Sequence, residues 1–109
     1  MIIELVGISV SSEKKQELWK ALVWLMSAIQ VQRGCLRCQL CEKWPAKDEL
    51  QMETRWDSKE DLIAHLQSDI YKKMLLLMEL STTAPVLEFL AVVELRGLDL
   101  VEAARIPPD

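Results

Sequence analysis

Cys35, Cys38 and Cys41 stand at C-x-x-C-x-x-C spacing, which on paper supplies three thiolates to an iron-sulfur cluster. The fourth cysteine is missing. Residues three apart on an extended strand point to opposite faces, so Cys38 and Cys41 cannot converge on one ion, and no metal site is expected. His65 is the only imidazole in 109 residues and therefore the natural candidate for acid or base chemistry near neutral pH. Its i−4 and i+4 neighbours, Asp61 and Asp69, are carboxylates that a protonated ring would pair with. On a helical wheel it lies at the edge of the stripe centred on Leu62, Leu66 and Ile70, within reach of either a pocket rim or the surface. Trp56, at the end of a strand where a pocket mouth would form, could stack on a flat ligand, and the single phenol, Tyr71, could hydrogen-bond one. A place in the core competes with each of these roles. The chain has no asparagine, which excludes any site that needs an Asn carboxamide.

These residues must be positioned by elements legible in the spacing of apolar side chains. Residues 2–10 alternate, with Ile3, Leu5 and Gly7 on one face and Ile2, Val6, Ile8 and Val10 on the other, which predicts a strand apolar on both sides. Ser11 and Ser12 offer an N-cap for a helix carrying Leu18, Leu22, Leu25 and Ile29 and ending near Gly34. A second strand is expected over Leu36 to Trp44, a tight connection at Pro45 to Asp48, and a third strand through Leu50, Met52, Thr54 and Trp56. Ser58 to Asp61 is a capping-box pattern opening a long helix that runs to Met78, with a bend at Ser68-Asp69. Beyond Pro85, Leu87, Phe89, Ala91, Val93 and Leu95 alternate against Val86, Leu90 and Val92 as a fourth strand.

The order βαββαβ predicts a single α+β domain over residues 1–109, a ferredoxin-like sandwich with an antiparallel sheet in the order 4-1-3-2 and helices on one face. Strands one and four are then neighbours, and their second apolar faces form a stripe that a lone chain would leave wet. A homodimer packed through the sheets is expected, with Ile8 and Val92 in the interface and residues 97–109 extending to the partner subunit. Half the residues are apolar and 28% are charged, enough for a real core. A net charge of −4 with scattered Lys and Arg excludes nucleic acid and anionic membrane as expected partners. The apolar runs fall short of the roughly 18 residues a membrane span requires, and Glu4 interrupts the start of the chain where a signal peptide would be apolar, so a cytoplasmic protein is expected.

Gly34-Cys35-Leu36-Arg37-Cys38, the run Arg55 to Leu62, and His65-Leu66-x-Ser68-Asp69 resemble the antibiotic biosynthesis monooxygenase family of dimeric α+β barrels. Met78 to Ser81, Pro85 and Arg96 to Arg105 are similar to a bacterial subgroup described as quinol monooxygenases. The resemblance implies oxidation of an electron-rich phenol, quinol or anthrone by O₂ without cofactor, metal or flavin, in a pocket between helices and sheet. Under that reading His65 helps remove a proton, while Trp56 and Tyr71 bind a small aromatic substrate. Thr54 stands where the family often has an acid and Cys41 where it often has a tyrosine. A dimeric small-ligand-binding or regulatory module without turnover is therefore the second reading.

Overall fold

A computed structural model of the chain describes residues 1–107. Strand β1 spans Ile2–Ser9, helix α1 Lys15–Gln30, strand β2 Cys35–Glu42 and strand β3 Glu49–Trp56. Helices α2 and α3 span Lys59–Leu66 and Asp69–Met78, strand β4 Val86–Ala91 and helix α4 Leu98–Arg105. Every strand pairing is antiparallel and the sheet order is β2-β3-β1-β4, the expected 4-1-3-2 read from the other edge. The fold is the ferredoxin-like α+β sandwich.

The core lies between one sheet face and the helices. Val6 and Ile8 of β1 and Leu50 and Met52 of β3 meet Leu18, Leu22, Leu25 and Ile29 of α1, with Leu62, Met74 and Met78 closing the far side. Each such side chain contributes about 1.5–3 kcal/mol by leaving water. Gly34 turns the chain from α1 into β2 with a φ of 82°, a region that side-chain-bearing residues avoid. A Cβ there would also run into the Asp61 side chain. Because Asp57 N–H donates to the Gly34 carbonyl at 2.8 Å, this turn is tied to the β3–α2 junction.

Several local expectations are corrected. Helix α1 begins at Lys15 without a side-chain cap, because Lys14 N–H donates to the Ser11 carbonyl and closes a separate turn first. A bulge between Cys35 and Arg37 ejects Leu36 and turns Cys35 to the core face opposite Trp56. Strand β2 stops at Glu42, leaving Trp44 exposed in the connection. The long helix is two helices. Ser68 divides them: its hydroxyl donates to the His65 carbonyl at 2.6 Å and accepts from Tyr71 N–H at 3.3 Å, ending α2 and capping α3.

The expected interface residue Ile8 is also corrected, since it points into the core with Val6. The uncovered face of β1 and β4 carries Ile3, Leu5 and Gly7 beside Leu90, Glu88 and Val86. The helices leave β4 bare on the other side too, where Leu87 and Phe89 are exposed. Arg55 pairs within the chain with Glu53 at 3.4 Å. Of the expected extension over residues 97–109, residues 98–105 form α4, which buries none of its side chains, and the last two residues lie outside the described ones. The radius of gyration is 16.8 Å, against about 13 Å for a compact chain of this length. Among the described residues no helix is long and apolar enough to cross a membrane.

Candidate active site

The alternation that turns Val6 and Ile8 inward carries Glu4 inward with them, and it is only 2% exposed. A carboxylate in that position costs several kcal/mol unless another group compensates it. The group brought against it is His65, also 2% exposed, from the last turn of α2. Its Nε2 lies 3.4 Å from Glu4 Oε1, near enough for ionic attraction whenever the ring is protonated, although the two lack hydrogen-bond geometry. On the other edge of the ring, Nδ1 is 2.5 Å from Gln32 Oε1, in the turn that follows α1.

Two aromatic rings enclose this pair. Trp56, fully buried at the end of β3, stacks on His65 with centroids 4.5 Å apart and planes 29° from parallel. Tyr71, in the first turn of α3, meets the imidazole edge-on at 5.1 Å. Burial, and then the nearby Glu4 carboxylate, push the Tyr71 phenol well above its ordinary range, so it is a neutral hydroxyl at physiological pH. That hydroxyl lies beside the Glu4 side chain, and their contact adds to the upward shift. Glu4 Oε2, Trp56 Nε1 and His65 Nε2 are buried without a hydrogen-bond partner. Buried polar atoms are nearly always satisfied, so three left over in one buried cluster are unusual for a core. Chemically the set comprises a base, an opposite charge to steady it, two possible donors and two aromatic walls.

His65, Trp56 and Tyr71, separated in sequence, are thus brought into one cluster, more deeply than expected. Trp56 is interior, not at a mouth, and His65 is not a boundary residue. The helical neighbours of His65 are not its partners: Asp61 accepts from the Ser58 hydroxyl at 2.9 Å, and Asp69, beyond the break at Ser68, faces Lys72 at 3.4 Å on the surface. Trp24 lies outside the cluster with Lys73 over its ring at 4.4 Å. Sequence reasoning missed Glu4 and Gln32. The parity of β1 was the available signal for Glu4, since it shares a face with Val6, Ile8 and Val10; no comparable signal marked Gln32. Surface clefts of about 230 and 400 Å³ lie elsewhere, one on the uncovered sheet face around Gly7 and Val86 and one between α1 and α3 around Leu18 and Leu77.

Behind the cluster, Cys38 is buried with its Sγ 3.4 Å from Thr54 Oγ1, while Cys41 points to the uncovered face. Among the described residues, no three His, Cys, Asp or Glu side chains gather as metal ligands. Burial pushes the Cys38 thiol up to about 11, with the Thr54 contact partly opposing it. A folded-state pKa above the unfolded value of 9.0 means that this stabilising contribution is fully present below pH 9 and is lost as pH rises towards about 11. Urea midpoints should therefore fall between pH 9 and 11, and Cys38→Ala should flatten that fall. An unchanged slope in the variant would remove Cys38 from the account. Alkylation at pH 7.5 should spare Cys38 until the protein unfolds.

The antibiotic biosynthesis monooxygenase family profile matches residues 1–75. A solved structure from Deinococcus radiodurans, described as a putative antibiotic biosynthesis monooxygenase, superposes with a TM-score of 0.80 at 21% identity over 89% of this chain and 97% of that one. One from Caulobacter crescentus with the same description gives 0.76 at 24% identity over 85% and 90%. The protein Rv0793 from Mycobacterium tuberculosis gives 0.77 at 20% identity over 88% and 98%. At these identities the structures speak for the fold alone. No curated protein matches the chain. With the profile covering most of its length and the sheet order agreeing, the chain belongs to the antibiotic biosynthesis monooxygenase family.

Proposed function

We propose that the protein is a cofactor-independent monooxygenase acting on a small aromatic substrate with an acidic C–H or O–H, of the quinol, phenol or anthrone type, and that it works as a homodimer. The observation that carries this reading is the buried Glu4–His65 pair enclosed by Trp56 and Tyr71, with Glu4 Oε2, His65 Nε2 and Trp56 Nε1 left without hydrogen-bond partners. His65 takes a proton at Nε2, and Glu4 counters the charge that develops on the ring. Trp56 supplies a stacking surface and Tyr71 a hydroxyl donor. Phe89, directly across the β1–β4 ladder from Glu4 and exposed, lies on the open flank by which a flat substrate approaches.

For an anthrone-type substrate, a CH₂ between aromatic rings loses a proton to His65, and the carbanion passes one electron to O₂. Recombination and protonation give a CH–OOH group, which loses water to leave C=O. One oxygen atom stays in the product and the other leaves as water, with both electrons and both hydrogens coming from the substrate. The protein desolvates and orients the anion and supplies no redox group of its own.

Oxygen uptake with anthrones or simple hydroquinones should exceed the buffer rate without added flavin or metal, and Trp56→Phe, which keeps a ring in the core, should mainly raise KM. If no such compound is consumed faster than in buffer, yet the same compounds raise the melting temperature in proportion to their concentration, the protein is a small-ligand-binding module instead.

A further inference from the structure

We propose that Gln32 is a positioning residue, which fixes the proton of the neutral His65 ring on Nδ1 and so leaves Nε2, the atom facing Glu4, as the proton acceptor. The proposal rests on the reading of His65 as the base, but its first test does not. Ser68 has one hydroxyl hydrogen, and the His65 carbonyl takes it at 2.6 Å. The Ser68 oxygen can therefore only accept from its other neighbours, Tyr71 N–H at 3.3 Å and Gln32 Nε2 at 3.3 Å. This orients the Gln32 carboxamide, with its NH₂ towards Ser68 and its Oε1 towards His65 Nδ1 at 2.5 Å. A carbonyl oxygen only accepts, so Nδ1 must carry the hydrogen.

The consequence runs against what the charges alone would choose. Without Gln32, the charge of the Glu4 carboxylate 3.4 Å away would draw the proton to Nε2. That tautomer leaves no lone pair at the site. Gln32 opposes it from the far side of the ring, holding Nε2 ready to accept and Glu4 ready to steady the imidazolium. Among the described residues, Glu4 is the charged group brought against the ring, and Trp56, Tyr71 and Gln32 meet it as neutral groups. Ser68, which ends α2 and caps α3, anchors the carboxamide. The helix break is therefore part of the device.

With one histidine in the chain, long-range ¹H–¹⁵N spectra of the ring nitrogens read the tautomer without assignment ambiguity. In the neutral ring of the wild-type protein, Nδ1 should be protonated and Nε2 bare. In Gln32→Leu the proton should move to Nε2. A wild-type ring protonated on Nε2, or a Gln32→Leu ring identical to wild type, overturns the proposal. In turnover, Gln32→Leu should lower kcat roughly ten- to a hundredfold, the usual cost of losing a partner that orients an imidazole, with KM nearly unchanged. If the tautomer behaves as stated while even the wild-type protein consumes no quinol, the oxygenase reading fails and the Gln32 clamp stands.

Discussion

His65→Leu should destabilise the protein by about 1–3 kcal/mol, the cost of leaving a buried polar group without its polar neighbour. Glu4 would then lie in the core beside Val6 and the aromatic rings with nothing to offset its desolvation. It would have to ionise alone or fold only as the protonated acid. The double variant Glu4→Leu/His65→Leu should recover much of the loss, because two apolar side chains of suitable volume replace a pair that gains little over them. Urea unfolding of the wild type, both single variants and the double variant at pH 7 closes a cycle, in which the coupling energy should exceed about 1 kcal/mol. Additive single-variant losses would mean that Glu4 and His65 do not interact, despite their 3.4 Å approach. Glu4→Gln, which keeps volume and removes the charge, is the variant for kinetics. It should stay folded and lose turnover, while His65→Ala should lower the rate roughly a hundredfold or more if His65 is the base.

Glu4 also marks the limit of what the sequence discloses. The sheet order and the core follow from parity and helical spacing because each apolar residue votes independently for a face, and one dissenting residue does not change the result. Leu18, Leu22, Leu25 and Ile29 of α1 all fall where their spacing puts them. That same averaging hides a functional residue, since an acid among Ile2, Val6 and Ile8 reads as an exception in an apolar strand. Gln32 is less legible still. Its bond to His65 joins positions 33 apart and depends on the orientation of a carboxamide that Ser68 fixes. His65 and Tyr71 were recognisable because their types occur once in this chain, and Trp56 because it ends a strand, yet their depth was not. The break at Ser68 turns α3 relative to α2 and brings Tyr71 edge-on to His65, a tertiary outcome that a wheel for one continuous helix cannot contain. The register of β2 depends on a bulge, and strict alternation places Leu36 where Cys35 belongs.

Sedimentation of the wild-type protein at micromolar concentration should give about 25 kDa, twice the 12.5 kDa of one chain, as a twofold sheet-to-sheet dimer requires. The argument lies in β4, which is apolar at every position but Glu88 yet exposed along its whole length, with Val86 at 53% and Leu90 at 44%. On the uncovered face, Leu90 pairs across the ladder with Ile3, and Val86 packs over Gly7 at a distance that a larger residue would crowd. The other flank of β4 is bare at Leu87 and Phe89, and Val93, Leu95, Leu98 and Val101 carry the exposed apolar surface onwards along the projecting C-terminal segment. A chain that left all of this in water would forgo burial worth about 25 cal/mol per Å² and keep an open sheet edge prone to pairing with other chains. Leu90→Asp should therefore halve the measured mass while the helix content by circular dichroism persists, because Leu90 takes no part in the core. Ile8→Asp places its charge among Leu22, Leu50 and the rest of the core, so it should abolish folding. A wild-type protein that sediments at the mass of one chain, or a Leu90→Asp variant that keeps the mass of two, would move the interface away from this face.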